Sequence, residues 1–193
     1  WPGGGAMVAT FFVQGGAAAT GWTAYPPLSD LKGAMAAELG QTLWVIGVFL
    51  IGLSSIMGAI NYATTIIRMR APGMTMFRLP LTTWALFINA ILAMFATPVL
   101  GSAMLMMLAD RVLGTSFFVP GGQAVSDVLT ERAGGGHVIL WQHLFWFYSH
   151  PAVYIMILPA MGMDSDIIAT NARKPLFGYK PMVYSIAGIA GLG

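Results

Sequence analysis

The sequence has no cysteine, and only 8% of its 193 residues are charged. Without thiols the chain can form neither a disulfide framework nor a thiolate metal site. Ordinary soluble domains carry roughly a quarter charged residues, so the low charge excludes that class. A net charge of +2 is too small to indicate nucleic-acid binding. Hydrophobic residues make up 57% of the chain, which is the composition of a polytopic membrane protein.

Five apolar stretches predict helices, and the predicted fold is an all-α, polytopic bundle of transmembrane helices. A helix that spans a bilayer needs about 20 predominantly apolar residues. The sequence begins and ends inside apolar runs, so we expect an internal part of a larger subunit with its first and last helices incomplete. The predicted helices of this single bundle, residues 1–193, cover approximately residues 3–19, 40–67, 81–108, 138–168 and 182–193.

The positions of the basic residues predict which loops face the cytoplasm. Cytoplasmic loops of membrane proteins carry an excess of Lys and Arg. We therefore expect the loop around Asp30 and the loop from Asp110 to Arg132 to face outside. The two alternate loops, expected on the cytoplasmic side, contain six of the nine Lys and Arg residues: Arg68, Arg70, Arg78, Arg173, Lys174 and Lys180.

The most unusual stretch lies in the fourth predicted helix and runs from Trp141 to Tyr154. His150 and Tyr154 are four residues apart, so their side chains share one helix face. Pro151 removes the hydrogen bond to the carbonyl of Phe147 and loosens the backbone there. Because an ionisable group inside a bilayer is costly, it marks a candidate functional site. The pattern suggests a metal ligand with a redox-active or proton-carrying tyrosine beside it, whereas the spacing alone favours the alternative that the imidazole bonds a carbonyl of a neighbouring helix.

The segment Gln142-His-Leu-Phe-Trp-Phe-Tyr-Ser-His-Pro-Ala-Val-Tyr154 resembles the sixth helix of the catalytic subunit of haem–copper terminal oxidases. The usual string in that family is Gln-His-Leu-Phe-Trp-Phe-Phe-Gly-His-Pro-Glu-Val-Tyr. The resemblance implies a twelve-helix type of subunit that reduces dioxygen to water and moves protons across the membrane. It extends over practically the whole chain, through Gly21-Trp-Thr-Ala-Tyr-Pro-Pro27, Gly58-Ala-Ile-Asn-Tyr-Ala-Thr-Thr-Ile66 and Thr115-Ser-Phe-Phe118.

The resemblance also implies cofactors, namely two haems and the copper ion called copper B. In the family, copper B has three histidine ligands, and His150 matches one of them. The other copper ligands and the haem ligands are expected outside residues 1–193. Tyr154 matches the catalytic tyrosine, which in the family is joined to a histidine ring and supplies an electron and a proton. Our expectation for His137 and His143 is interface and packing roles, because a lone histidine rarely coordinates metal.

Four residues are expected to border the haems by the same resemblance. Trp146 and Val153 belong to the matched helix, and Trp22 and Tyr25 match a segment near the haem propionates. An aromatic belt at the membrane interface accounts equally well for Trp22 and Tyr25. Simple core packing is a second account of Trp146.

Several hydroxyl and amide side chains match proton-uptake routes of the family. Ser54, Ser55 and Asn61 match the D pathway, and Ser54 and Asn61 lie seven residues apart on one helix face. Ser165 matches the K pathway. Interhelical hydrogen bonding is the alternative for the polar residues of the second helix. For Asp164 and Asp166, near Ser165 in the sequence, an ordinary place on the inner surface is an equal alternative.

Ala152 is the main departure, because most members of the family have a proton-relaying glutamate there. A methyl group cannot titrate, but Tyr148 lies one helical turn earlier and its phenol can reach the same space. One branch of the family has Tyr-Ser before His-Pro, as this chain does. We therefore expect Tyr148 and Ser149 to carry the proton relay.

The expected setting is a multi-pass protein of a prokaryotic plasma membrane. The expected partners are the lipid bilayer, oxidase subunits II and III, and cytochrome c or quinol through subunit II, with no nucleic acid. A quinol-oxidising member of the family remains the main alternative function. A non-redox transporter or channel is the alternative from another class, although the inverted repeat that is typical of transporters is absent from the sequence.

Overall fold

The computed structural model describes residues 1–30, 38–121, 124–125, 128–129 and 134–192. Arg132, in the loop expected to face outside, lies beyond these ranges. The described residues form five α-helices, which bears out the all-α prediction. These are α1 (Pro2–Ala9), α2 (Glu38–Arg68), α3 (Leu81–Leu113), α4 (Val138–Ala172) and α5 (Tyr179–Leu192). Short 3-10 turns cover Thr10–Phe12 and Met76–Arg78, and two-residue strands β1 (Ala124–Val125) and β2 (Val128–Leu129) pair antiparallel.

Three of the described helices, α2, α3 and α4, are long and apolar enough to cross a membrane. They contain 31, 33 and 35 residues. At 1.5 Å per residue each is about 45–55 Å long, more than the roughly 30 Å of a bilayer's hydrocarbon core. Helix α4 continues through Pro151 and Pro159, and α3 continues through Pro98. The prediction of a polytopic membrane protein is therefore confirmed.

The first helix is shorter than the predicted range of residues 3–19. Helix α1 ends at Ala9, and the 3-10 turn Thr10–Phe12 follows it. Gly15 and Gly16 then adopt φ angles of 91° and 82°. Because these positive angles are accessible to glycine and incompatible with an α-helix, the apolar composition of this stretch overestimated the helix.

The chain divides into two compact units, and the long helices contribute to both. The first comprises Trp1–Ser54 and Pro98–Phe147, and the second Ser55–Thr97 and Tyr148–Gly193. In the first unit α1 packs closely on α2 through glycine. A Cβ atom added at Gly3 would lie 2.8 Å from Ile51 Cγ1 and 2.9 Å from the carbonyl oxygen of Gly47. Such small residues are what allow helices to approach in membranes.

The second unit has two buried clusters between its helices. One consists of Leu81, Ile88, Leu158, Val183 and Ile186; the other of Ala59, Ala63, Ala90 and Ala93. Asp166 fastens α4 to the start of α3, because its carboxylate accepts hydrogen bonds from Leu81 N (3.3 Å), Thr82 N (2.9 Å) and Thr82 Oγ1 (2.6 Å). These amides are among those that a helix N-terminus leaves without intrahelical partners. The contact fixes the C-terminal part of α4, and on the same helix Tyr154 and His150 lie about three and four and a half turns before Asp166.

Candidate functional site

His150 and Tyr154 contact each other on one face of α4, within the second unit. Their ring centroids are 4.8 Å apart and the ring planes meet at 74°, an edge-to-face arrangement. The Tyr154 side chain also packs against the buried cluster that contains Leu81 and Leu158. His150 is exposed at the surface of the chain. The four-residue spacing therefore holds the two rings together through the local helix geometry alone.

The alternative role for His150, a hydrogen bond to another helix, is not found among the described residues. An imidazole offers one nitrogen lone pair to a metal, and copper is among the metals that imidazole ligands suit. Within residues 1–30, 38–121 and 134–192, no group of three or more His, Cys, Asp or Glu side chains could hold a metal ion. His137 instead accepts a hydrogen bond at Nδ1 from Ile139 N (3.1 Å), and His143 is exposed.

Three of the four residues predicted to border the haems meet in the first unit. Trp146 Nε1 donates a hydrogen bond to the Tyr25 hydroxyl at 2.7 Å, and the rings of Trp22 and Trp146 are 6.0 Å apart, edge to face. Trp22 also contacts Phe145 at 5.6 Å. The fourth residue, Val153, belongs to the second unit and is 50% exposed.

Sequence reasoning missed three further rings of the same group. Phe145 stacks on Trp141 at 5.7 Å, and Trp141 meets Phe118 edge to face at 5.4 Å. The signal was present, because Phe118 and Phe145 belong to the strings that carry the family resemblance, and Trp141 directly precedes one of them. We call the six residues Trp22, Tyr25, Phe118, Trp141, Phe145 and Trp146 the aromatic cluster.

Backbone contacts hold the loop that carries Trp22 and Tyr25 in place. Trp141 Nε1 donates to the carbonyl of Thr23 at 3.0 Å. Ser29 Oγ donates to the carbonyl of Ala24 at 2.6 Å, which closes the turn. The carbonyl of Ser29 in turn accepts a hydrogen bond of 2.6 Å from Arg111 Nη1. The position of the Tyr25 hydroxyl therefore depends on residues that are far from it in the sequence.

Asp110 and Arg111 are two adjacent charged residues near the end of α3, and both are buried. Asp110 accepts hydrogen bonds from Phe117 N (2.9 Å), Phe118 N (3.0 Å) and Thr115 Oγ1 (2.5 Å). Arg111 also donates to the carbonyl of Glu38 (2.6 Å) and to Thr42 Oγ1 (3.1 Å). Buried charges are tolerated only with such partners. The pair thus orients both loops that bring rings to the aromatic cluster.

The predicted D-pathway residues lie on the exposed surface of α2. Ser54, Ser55 and Asn61 are all exposed, and Thr65 Oγ1 donates to Asn61 Oδ1 at 3.5 Å. Ser54 and Asn61 are seven residues apart, about 10 Å along the helix axis, too far for direct contact. Thr65, one turn beyond Asn61, extends the polar row and was not singled out from the sequence. The spacing of four residues was the available signal.

The remaining predicted proton-pathway residues all lie on α4, in the second unit. Ser149 is buried, with 8% of its surface exposed, and Tyr148 beside it is half-buried. Ser165 donates its hydroxyl proton to the carbonyl of Met161 in its own helix, at 2.8 Å. Asp166 is engaged by the amides of α3, as described above, so its carboxylate has a structural partner.

Comparison with known proteins identifies the family to which the chain belongs. The chain matches the family model for cytochrome c and quinol oxidase polypeptide I over residues 1–193. It is 47% identical over 192 residues to cytochrome c oxidase subunit 1 of Synechocystis sp., and 46% identical over 190 residues to that of Cereibacter sphaeroides. It is 44% identical over 186 residues to the alternative cytochrome c oxidase subunit 1 of Bradyrhizobium diazoefficiens.

The three alignments cover 96–100% of this chain and 31–32% of the relatives. The chain therefore spans about a third of the length of the curated relatives it matches. The string from Gln142 to Tyr154, the long apolar helices and the match along the whole chain agree with one another. The chain belongs to the cytochrome c and quinol oxidase polypeptide I family, which is the haem–copper oxidase family that the motif on α4 indicated.

Proposed function

We propose that this chain is part of the catalytic subunit of a terminal oxidase that reduces dioxygen to water with electrons from cytochrome c. The observation that carries the proposal is the contact between His150 and Tyr154 at 4.8 Å. An imidazole and a phenol in contact within an apolar helix suit a redox site better than they suit packing. Membership of the family makes a non-redox transporter or channel the weaker alternative.

We infer that His150 is one of the three ligands of copper B. A neutral imidazole is a suitable copper ligand, and this ring lies at an exposed position where donors from elsewhere in the full-length protein can meet it. Copper and haem iron, when bound, would pass on the electrons of cytochrome c and would provide the place for dioxygen. Trp22, Tyr25 and Trp146 form an apolar wall with polar tips, which suits the edge of a haem and its propionates.

Tyr154 is the catalytic residue of the proposal. Its phenolic oxygen would hold a proton beside His150, and the packing of its ring against the cluster of Leu81 and Leu158 keeps the ring in that place. A phenol can release a proton and an electron together, whereas the aliphatic residues around it can release neither. A positioned proton donor typically accelerates a reaction about 100- to 10,000-fold.

Protons reach the site, in this proposal, through hydroxyl groups of α2 and α4. Tyr148 and the buried Ser149 act in place of the glutamate that Ala152 replaces. Ser54, Ser55 and Asn61 form the D-type route along α2, and Ser165 belongs to the K-type route. The burial of Ser149 supports its role, because a buried hydroxyl requires a partner or a water molecule.

The proposed donor is cytochrome c, because the similar relatives are cytochrome c oxidases. A quinol-oxidising enzyme is the second candidate, since the family includes quinol oxidases. The proposed partners are subunits II and III, with subunit II receiving the electrons. The proposed location is the plasma membrane, since the relatives are bacterial and three described helices can span a bilayer.

The direct test uses the full-length oxidase, purified from the membrane with its partner subunits. Metal analysis should find copper and haem iron, and oxygen uptake should be fast with reduced cytochrome c and slow with a quinol. A faster rate with quinol would support the second candidate. An enzyme without copper and haem would refute both.

A further inference from the structure

Two loops at one end of the second unit carry most of the positive charge of the chain. Residues 68–80 and 171–181 contain no Asp or Glu in the sequence. We call their six cations the basic face: Arg68, Arg70, Arg78, Arg173, Lys174 and Lys180. The oxidase chemistry proposed above uses none of these residues.

The two loops meet in the structure. Lys180 Nζ lies 5.4 Å from the centroid of the Phe77 ring, over its face. The Tyr179 hydroxyl donates to the carbonyl of Leu79 at 2.5 Å, and the Phe77 and Tyr184 rings are 6.1 Å apart. The basic face is therefore one surface at the ends of α2 and α4 and the starts of α3 and α5.

Local contacts order this face without cancelling its charge. Arg70 Nη1 donates to the carbonyl of Ile66 at 3.1 Å, and Arg78 Nη1 donates to the carbonyl of Gly73 at 3.4 Å. A hydrogen bond to a carbonyl oxygen orients a guanidinium group but does not neutralise its positive charge. Arg68, Arg173 and Lys174 are exposed.

Acidic residues near the basic face do not outweigh its charge. The carboxylates next to the second loop in the sequence belong to Asp164 and Asp166. Asp166 is engaged by the amides of α3, and even if both acids are counted, two negative charges against six positive ones leave an excess of four cations.

Exposed aromatic rings lie among these cations. Phe177, between Lys174 and Lys180 in the sequence, is 97% exposed, and Phe77 is 42% exposed. A fully exposed phenylalanine is unfavourable in water but suits the boundary between head groups and acyl chains, where aromatic residues are enriched. The combination of cations with an apolar ring favours a lipid surface over a free anion in solution.

We propose that the basic face binds anionic phospholipid head groups of the cytoplasmic leaflet. Clusters of four to eight Lys and Arg directly beyond a transmembrane helix bind anionic lipids, with a gain of roughly fivefold in affinity per cation. The face follows α2 and α4 directly, and the distribution of positive charge predicts that it is cytoplasmic. Its lysine and arginine stems can extend from the helix ends to reach lipid phosphates.

The test uses the full-length oxidase complex in mixed detergent micelles containing either phosphatidylglycerol or phosphatidylcholine. Lipid retention is measured by native mass spectrometry. The native enzyme should retain phosphatidylglycerol preferentially. The variant R173Q/K174Q/K180Q should lose roughly 100-fold in affinity for it, whereas the charge-conserving control R173K/K174R/K180R should keep it. If the triple variant does not assemble, the single variant K174Q should lose about fivefold.

Three results would overturn the proposal. The first is equal retention of the two lipids by the native enzyme. The second is displacement of phosphatidylglycerol by millimolar inorganic phosphate at constant ionic strength, which would indicate a site for a free anion. The third is loss of a partner subunit, with unchanged lipid retention, in the glutamine variants, which would indicate a protein interface.

Discussion

Two pairs of polar residues in this chain differ in the interactions that hold their side chains. Asp110 and Arg111, in the first unit, are buried and bonded to the backbone of Ser29, Glu38 and Phe117, among others. His150 and Tyr154, in the second unit, contact each other by their rings.

This difference indicates which pair contributes to the stability of the fold. A buried charge that the chain's own backbone satisfies stabilises loops, and changing it should lower stability. An imidazole that keeps a nitrogen for an external partner contributes little to the fold, and changing it should abolish activity. The following predictions test this division, from the largest expected effect to the smallest.

His150→Ala in the full-length oxidase should lower oxygen uptake by more than about 100-fold, because a copper ligand is removed. Copper content should fall, while the unfolding temperature should change little, since the ring is exposed. His143→Ala is the matched control on the same helix and should retain both copper and activity. Full oxygen uptake by the His150 variant would end the assignment of this residue to copper.

Tyr154→Phe should lower oxygen uptake by about 100-fold or more, because the ring remains but the proton is lost. Copper content, measured by metal analysis, should stay close to that of the native enzyme. This outcome would separate the chemistry of the phenol from the edge-to-face contact. If the phenylalanine variant reduces oxygen at the native rate, the phenol has no catalytic role.

Arg111→Met should lower the free energy of unfolding by about 3 kcal/mol, because it leaves the carbonyls of Ser29 and Glu38 without their charged hydrogen-bond donor. Thermal unfolding of the purified complex measures the effect. Arg173→Met removes an exposed cation and should change stability by no more than about 0.5 kcal/mol. Equal unfolding temperatures for the two variants would contradict the structural role of Arg111.

Tyr148→Phe should reduce the number of protons released per electron. Its loss of oxygen uptake should be smaller than the loss in the Tyr154→Phe variant. Proton release is measured with the full-length enzyme in sealed vesicles. Tyr62→Phe, which removes an exposed phenol of α2, is the control and should pump normally. A Tyr148 variant with normal pumping would refute the proposed relay.

Trp146→Phe should have the smallest effect, because it removes a single hydrogen bond of 2.7 Å to Tyr25. A double-mutant cycle with Tyr25→Phe should give a coupling energy of about 1 kcal/mol or less in thermal unfolding. Additive effects of the two changes would mean that the bond adds nothing to the stability of the aromatic cluster.

Local patterns in the sequence predicted much of this arrangement. The contact of His150 with Tyr154 follows from the helical repeat, which depends on neighbouring residues alone. The same patterns failed for α1, because Gly15 and Gly16 have positive φ angles that an apolar composition does not reveal. They also did not indicate the contact of Asp166 with Thr82, which is 84 residues away.

By itself, the sequence determined the class of membrane protein, the three long helices and the family, because these depend on composition, run length and contiguous motifs. Only the tertiary structure decided that Trp146 donates a hydrogen bond to Tyr25, 121 residues away, and that Arg111 supports the loop that carries Tyr25. It also brought Phe77 under Lys180. The physical reason is that such contacts depend on how loops fold back onto helices, and loop paths follow from hydrogen bonds between residues distant in the chain.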